Sequence, residues 1–161
     1  MNREQIINIL SEVKDPEIPV LSISDLGILR QVKMSGNTIQ IQITPTYSGC
    51  PAMETIEEDI RTELAKHGLH QVEIRQVLSP AWTTEWMSEA GKEKLKAYGI
   101  APPKNMQSVC TPNAFQEEEA IQCPHCNSFH TRLISRFGST ACKALYQCED
   151  CKEPFDYFKC H

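Results

Sequence analysis

Two cysteine pairs carry the clearest chemistry in this chain of 161 residues: Cys123-Pro124-His125-Cys126 and Cys148-Glu149-Asp150-Cys151, with 21 residues between them. Each Cys-x-x-Cys turns two sulfurs toward one point, and two such knuckles joined by a short β-hairpin close a tetrahedral four-sulfur site suited to Zn²⁺. Four thiolates serve an iron–sulfur cluster equally well, so the spacing names Cys123, Cys126, Cys148 and Cys151 as ligands and leaves the metal open. The segment 121–161 is too short and too poor in aliphatics to bury a self-sufficient core, so metal binding should supply most of its folding free energy. Cys142 and Cys160 lie in the same segment as His125, His130 and His161. They read as a small buried residue and a near-terminal thiol, with a redox pair or a share in a cluster as the alternative. Phe155, Tyr157 and Phe158 should pack the ribbon's small core.

A second sulfur stands by itself. Cys50 follows Gly49 and precedes Pro51, and proline favours the first turn of a helix, which puts Cys50 at or near an N-cap. The free amides and positive dipole end there stabilise a thiolate, so a lowered pKa and good ligand or nucleophile character are expected. Asp15, Glu17 and Asp25 fall on the loop after the first helix, and Thr44 and Thr46 on the loop before Cys50. If both loops open on one end of a sheet, carboxylates and hydroxyls surround the thiol and the set could hold iron transiently. The competing reading is that Asp15 and Asp25 cap turns and helix ends.

The elements that must position these groups follow from periodicity. Ile6, Ile9, Leu10 and Val13 have helical spacing behind Asn2 as N-cap, and Asp15-Pro16-Glu17 stops that helix. Ile18 to Gly27 reads as a loop. Residues 28–34 and 38–43 form a hairpin around Ser35-Gly36-Asn37. A second helix spans about 51–67, closed by Gly68 at C′. A third strand covers 71–78, and a third helix 83–98 is weakened by Gly91 and holds Trp82 and Trp86 against the core. His67 and His70 look like helix-end residues. The fold class is therefore α+β: an αββαβα domain with a three-stranded sheet over 1–103, a linker over 104–120 containing the acidic Glu117 to Glu119, and a zinc ribbon over 121–161. No internal repeat is visible.

Composition excludes several classes. Net charge is −5; residues 1–120 hold 11 basic against 17 acidic side chains, and residues 121–161 hold 5 against 4. Neither part is a basic nucleic-acid surface. No apolar run reaches the roughly 18–20 residues that span a bilayer, and the polar start lacks a signal-peptide core. A soluble protein of the cytoplasm is expected, in a reducing compartment where paired cysteines mean metal or redox chemistry.

The runs Asp15-Pro16-Glu17-Ile18-Pro19, Ser22-Ile23-Ser24-Asp25-Leu26-Gly27, Pro45-Thr46-Tyr47-Ser48-Gly49-Cys50-Pro51 and Pro80-Ala81-Trp82 resemble the SufT-like iron–sulfur assembly domain. With Gly99-Ile100-Ala101-Pro102-Pro103 and the tail motifs Phe137–Lys143 and Glu153–Cys160, nearly the whole chain is similar to the PaaD family, accessory proteins of the bacterial phenylacetyl-CoA epoxidase (ring 1,2-epoxidation) system in aerobic phenylacetate degradation. The resemblance implies a maturation factor rather than an enzyme. Cys50 would be its carrier sulfur, Asp15, Glu17 and Asp25 its acidic loop, and Thr46 part of its cysteine motif. It implies a transient iron or iron–sulfur cargo beside ribbon Zn²⁺, reductase or oxygenase subunits as partners, and no nucleic acid or membrane, and it leaves homodimerisation open. Three other readings compete: a structural subunit of the oxygenase complex, a thiol-dependent enzyme, disfavoured because no histidine is close in the Cys50 motif, and a nucleic-acid-binding ribbon, disfavoured by the near-neutral tail.

Overall fold

The structure, a computed structural model, describes residues 1–103 and 120–159. The expected linker (save Ala120), Cys160 and His161 lie outside the described residues. The chain divides into two compact units, Met1–Trp82 with Trp86–Gly91, and Thr83–Glu85 with the residues from Lys92 onward. The division passes through a helix rather than after Pro103.

In the first unit, α1 (Arg3–Leu10) opens with a capping box: Gln5 N donates to Asn2 Oδ1 and Asn2 N to Gln5 Oε1. Ile6 and Leu10 are fully buried. The antiparallel hairpin β1 (Leu29–Ser35) and β2 (Thr38–Ile43) turns at Gly36, and the strict alternation of β2 puts Ile39, Ile41 and Ile43 inside. After α2 (Ala52–Lys66), β3 (Val72–Gln76) runs parallel to β2 with Ile41 opposite Ile74, giving the order β1-β2-β3. The end of α2 is a Schellman motif: Gly68 N reaches Ala65 O and Leu69 N reaches Leu64 O, with Gly68 at φ +77°. The expected loop is no surface excursion, because Ile18, Leu21, Ile23, Leu26 and Ile28 are each at most 1% exposed.

The third helix is shorter than the sequence pattern suggests. Residues Thr84–Trp86 form a 3₁₀ turn, and α3 spans only Glu89–Ala97, because Ser88 takes the N-cap and its Oγ accepts from Gly91 N at 2.9 Å. Neither tryptophan belongs to α3. Trp82 is buried and donates Nε1–H to Leu26 O at 2.7 Å, while the Arg30 guanidinium lies 3.5 Å over the Trp86 ring. The backbone of Trp86 presses on Gly27, where a Cβ would stand 2.3 Å from Trp86 O and φ is +72°. Gly27→Ala should therefore destabilise this unit by about 2–4 kcal/mol, read as a lowered thermal midpoint; an unchanged midpoint would contradict the contact.

In the second unit the sheet order is β4-β7-β6-β5, with β4 (Ile100–Ala101), β5 (Thr131–Ser135), β6 (Lys143–Cys148) and β7 (Pro154–Phe158). The segment Gly99–Pro103, expected to close the first domain, instead lends the sheet a short strand parallel to β7. A small core forms from Ala101, Ile121, Cys123, Cys148 and Phe155, with Tyr146 stacked on Phe155 at 5.9 Å and edge-on to Tyr157 at 5.8 Å. Phe158 is 1% exposed, so the aromatic residues pack the ribbon as their spacing suggested. No helix among the described residues is long and apolar enough to cross a membrane.

Candidate functional site

Cys50 lies in the connection from β2 to α2, after the carboxyl end of a strand in a parallel pair, where open α/β sheets place their ligand sites. The turn closes through Cys50 N to Tyr47 O at 3.3 Å, with Gly49 at φ +76°, a value that glycine adopts without strain. Pro51 rather than Cys50 is the N-cap, and it makes no side-chain cap bond. Cys50 is half-buried beside a groove lined by Ser48, Gly49, Glu54, Gln76 and Leu78.

The expected lowering of its pKa does not occur. Burial pushes the Cys50 thiol above its usual 9.0; the Ala52 N–H and the Tyr47 side chain pull it down, and the carboxylates of Glu17 and Asp15 push it further up. The reason is physical: one helix end is outweighed by desolvation and two nearby negative charges. At neutral pH the thiol keeps its proton, and a bound cation, which relieves the same carboxylates, would displace it.

The acidic loop divides in two. Asp15 is 7% exposed, and its Oδ1 accepts from Glu17 N and Ile18 N, both at 2.8 Å, an Asx turn that fixes Glu17 on the Cys50 side. Asp25 is a joint instead. Its Oδ2 accepts from Ser22 N at 3.0 Å and its Oδ1 from Ser88 Oγ at 3.2 Å, and its carbonyl accepts from Ser88 N. Gly91 suits this close approach, since a Cβ would come within 3.1 Å of Asp25. Thr46 is half-buried on the Cys50 loop, and Thr44 is buried, with its N–H on Ile28 O. Sequence reasoning passed over Glu54 and Gln76. Glu54 was legible, being four residues and about one helical turn beyond Cys50. Gln76 reaches the groove only through the parallel pairing that sets it opposite Ile43, and its side chain donates to Glu57 Oε1 at 2.7 Å.

The ribbon cysteines converge as their spacing requires. The sulfurs of Cys123, Cys126, Cys148 and Cys151 all lie within 4.8 Å of one another, with 3.8 Å between Cys123 and Cys151 and 3.5 Å between Cys126 and Cys148. A tetrahedron with Zn–S of roughly 2.3 Å has edges of about 3.8 Å, so the donor set and its spacing fit Zn²⁺. The N–H groups of Cys151 and Asp150 aimed at Cys148 bring its thiol down to about 7. At Cys151 the Glu153 N–H is outweighed by desolvation and the sulfurs of Cys148, Cys126 and Cys123, which hold the thiol up at about 12.

The knuckles also repeat each other, a likeness that residue types show only in the Gln before each Cys-x-x-Cys. Gln122 Nε2 donates to Asn127 O, and Gln147 Nε2 to Lys152 O; Cys123 N donates to Ser128 O, and Cys148 N to Glu153 O. Asn127 and Lys152, each following the second cysteine, share φ values of 63° and 64°. Cys142 is buried and contacts Thr140 Oγ1 at 3.0 Å.

Comparison with known proteins also finds two parts in the chain. Residues 3–76 match the family model described as iron-sulfur cluster assembly protein, and residues 107–159 match the PaaD zinc beta ribbon domain. A Porphyromonas gingivalis protein named "Fe-S protein maturation auxiliary factor" is 35% identical over 53% of this chain and 83% of its own length. The crystal structure titled "Domain of Unknown Function DUF59 from Bacillus anthracis" matches with a TM-score of 0.54 and 29% identity, over 57% of this chain and 89% of that one. A protein of Escherichia coli (strain K12), named as one of the subunits of a "Putative 1,2-phenylacetyl-CoA epoxidase", is 50% identical over 97% of this chain and 92% of its own. With half the residues shared along nearly the full length of both, this chain belongs to the PaaD family, an iron–sulfur assembly domain extended by a zinc ribbon.

Proposed function

We propose that this chain is an accessory factor that matures a metal centre of the phenylacetyl-CoA epoxidase system, with Cys50 as the sulfur that receives and hands on iron or an iron–sulfur cluster. The observation that carries it is a reachable thiol at a groove, bearing the charge of Glu17 and Asp15. Such a thiol is protonated when empty and becomes a ligand when a cation offsets the carboxylates, which suits reversible loading. Asp15 orients the acidic loop, Asp25 ties it to the start of α3, and Thr46 stands on the carrier loop. The maturation role in the names of relatives that match about half of the chain supports this reading. The ribbon is the docking module, its fold set by Zn²⁺ on the four cysteines, and the oxygenase and reductase subunits are the partners. The protein works in the cytoplasm as an accessory factor rather than an enzyme, a reading supported by the maturation-factor names of its relatives.

A second reading, a standing component of the epoxidase, is favoured by the Escherichia coli relative, which is named as part of that enzyme. Purified epoxidase already loaded with its iron and cluster separates the two. A maturation factor is dispensable in that assay, so turnover should be the same with and without the chain, and a strict requirement would favour the standing component.

A further inference from the structure

The four ribbon sulfurs are unequally shielded. Cys123 and Cys148 are 0% exposed and belong to the small core with Ile121 and Phe155, whereas Cys126 is exposed and Cys151 half-exposed. The pairs Cys123–Cys151, at 3.8 Å, and Cys126–Cys148, at 3.5 Å, each join an exposed or partly exposed cysteine to one in the core, and the shorter separation is that of Cys126 and Cys148. Metal-bound cysteines are thiolates, and thiolates that solvent can reach are the first to meet an oxidant. We propose that Cys126 is a peroxide-sensitive modification site whose oxidation closes a Cys126–Cys148 disulfide and frees the ribbon's metal.

The chemistry balances with hydrogen peroxide as the oxidant. The Cys126 thiolate attacks one peroxide oxygen, the O–O bond breaks and hydroxide leaves, giving a sulfenic acid. The Cys148 thiolate, already beside it, attacks that sulfur; the S–S bond forms and a second hydroxide departs. Two thiolates lose two electrons, and one peroxide is reduced to two hydroxides. Only two sulfurs then remain for the metal, and one of them, Cys151, is partly open to solvent. Since Cys148 is also part of the ribbon's core, the same event loosens that core. The site would make the second unit's fold depend on oxidant, independently of what Cys50 carries.

The test uses the full-length zinc-loaded protein. Iodoacetamide in small excess should label Cys126 about tenfold faster than Cys123, as exposure dictates. Stoichiometric hydrogen peroxide should release the zinc to a colorimetric chelator, with peptide mapping showing Cys126 joined to Cys148. Reductant and zinc together should reverse both changes. Retention of zinc while Cys126 stays unmodified would overturn the proposal, and so would a first disulfide inside one knuckle or between Cys123 and Cys151. A Cys50→Ser chain should release zinc at the same rate; a slower release would mean that Cys50 relays the oxidation and would overturn direct attack at Cys126.

Discussion

Replacing Cys148 by serine will strip the ribbon of its metal and unfold it, while the first unit survives. Cys148 is both a candidate ligand and a wholly buried member of a small core cluster in which five buried residues are described. Structural zinc supplies an apparent 10–16 kcal/mol in comparable small domains, roughly the whole stability of an ordinary protein. Serine cannot replace a thiolate for Zn²⁺. The expected result is loss of about one zinc per chain with rapid proteolysis of the C-terminal segment, while residues of the first unit stay protected. Unchanged metal content would show that the ligand set is wrong.

Cys50→Ser has the opposite signature. The thiol is half-buried, and Ala52 and Met53, the buried residues that follow it in the chain, belong to α2. Exchange of sulfur for oxygen removes a soft ligand at little cost in packing, so the thermal midpoint should move by no more than a few degrees, as for a change under about 1 kcal/mol. Phenylacetyl-CoA epoxidation in cells that depend on this chain should nevertheless be abolished. Full epoxidation with the serine variant would end the carrier role.

Much of this was legible in the residues, because the controlling interactions are local. Asn2 with Gln5 as a capping box, Gly68 after α2, the alternation of Thr38–Ile43 and the two Cys-x-x-Cys turns all depend on neighbours within a few positions. The failures are of another kind. The start of α3 moved to Glu89 because Ser88 is drawn into bonds with Asp25, 63 residues away, and Gly91 weakens the helix pattern so that Asp25 can approach. Ile100 and Ala101 read as the end of the first domain but pair with β7 inside the second unit. The thiol of Cys50 looked acidic from its place before a helix. Its real setting adds desolvation and the charges of Glu17 and Asp15, which no local pattern encodes. Of the knuckle repeat only the Gln before each Cys-x-x-Cys is written in residue types, because Pro124-His125 and Glu149-Asp150 share no side-chain chemistry, whereas the backbone around them is the same.

The most direct test of Cys50 as the delivering sulfur is the iron content of the client. Epoxidase oxygenase and reductase subunits would be purified anaerobically from cells expressing either the native chain or Cys50→Ser. Client subunits should be made at normal levels but be deficient in iron or in their cluster when the serine chain is present. Equal iron loading in both preparations would contradict the delivery role.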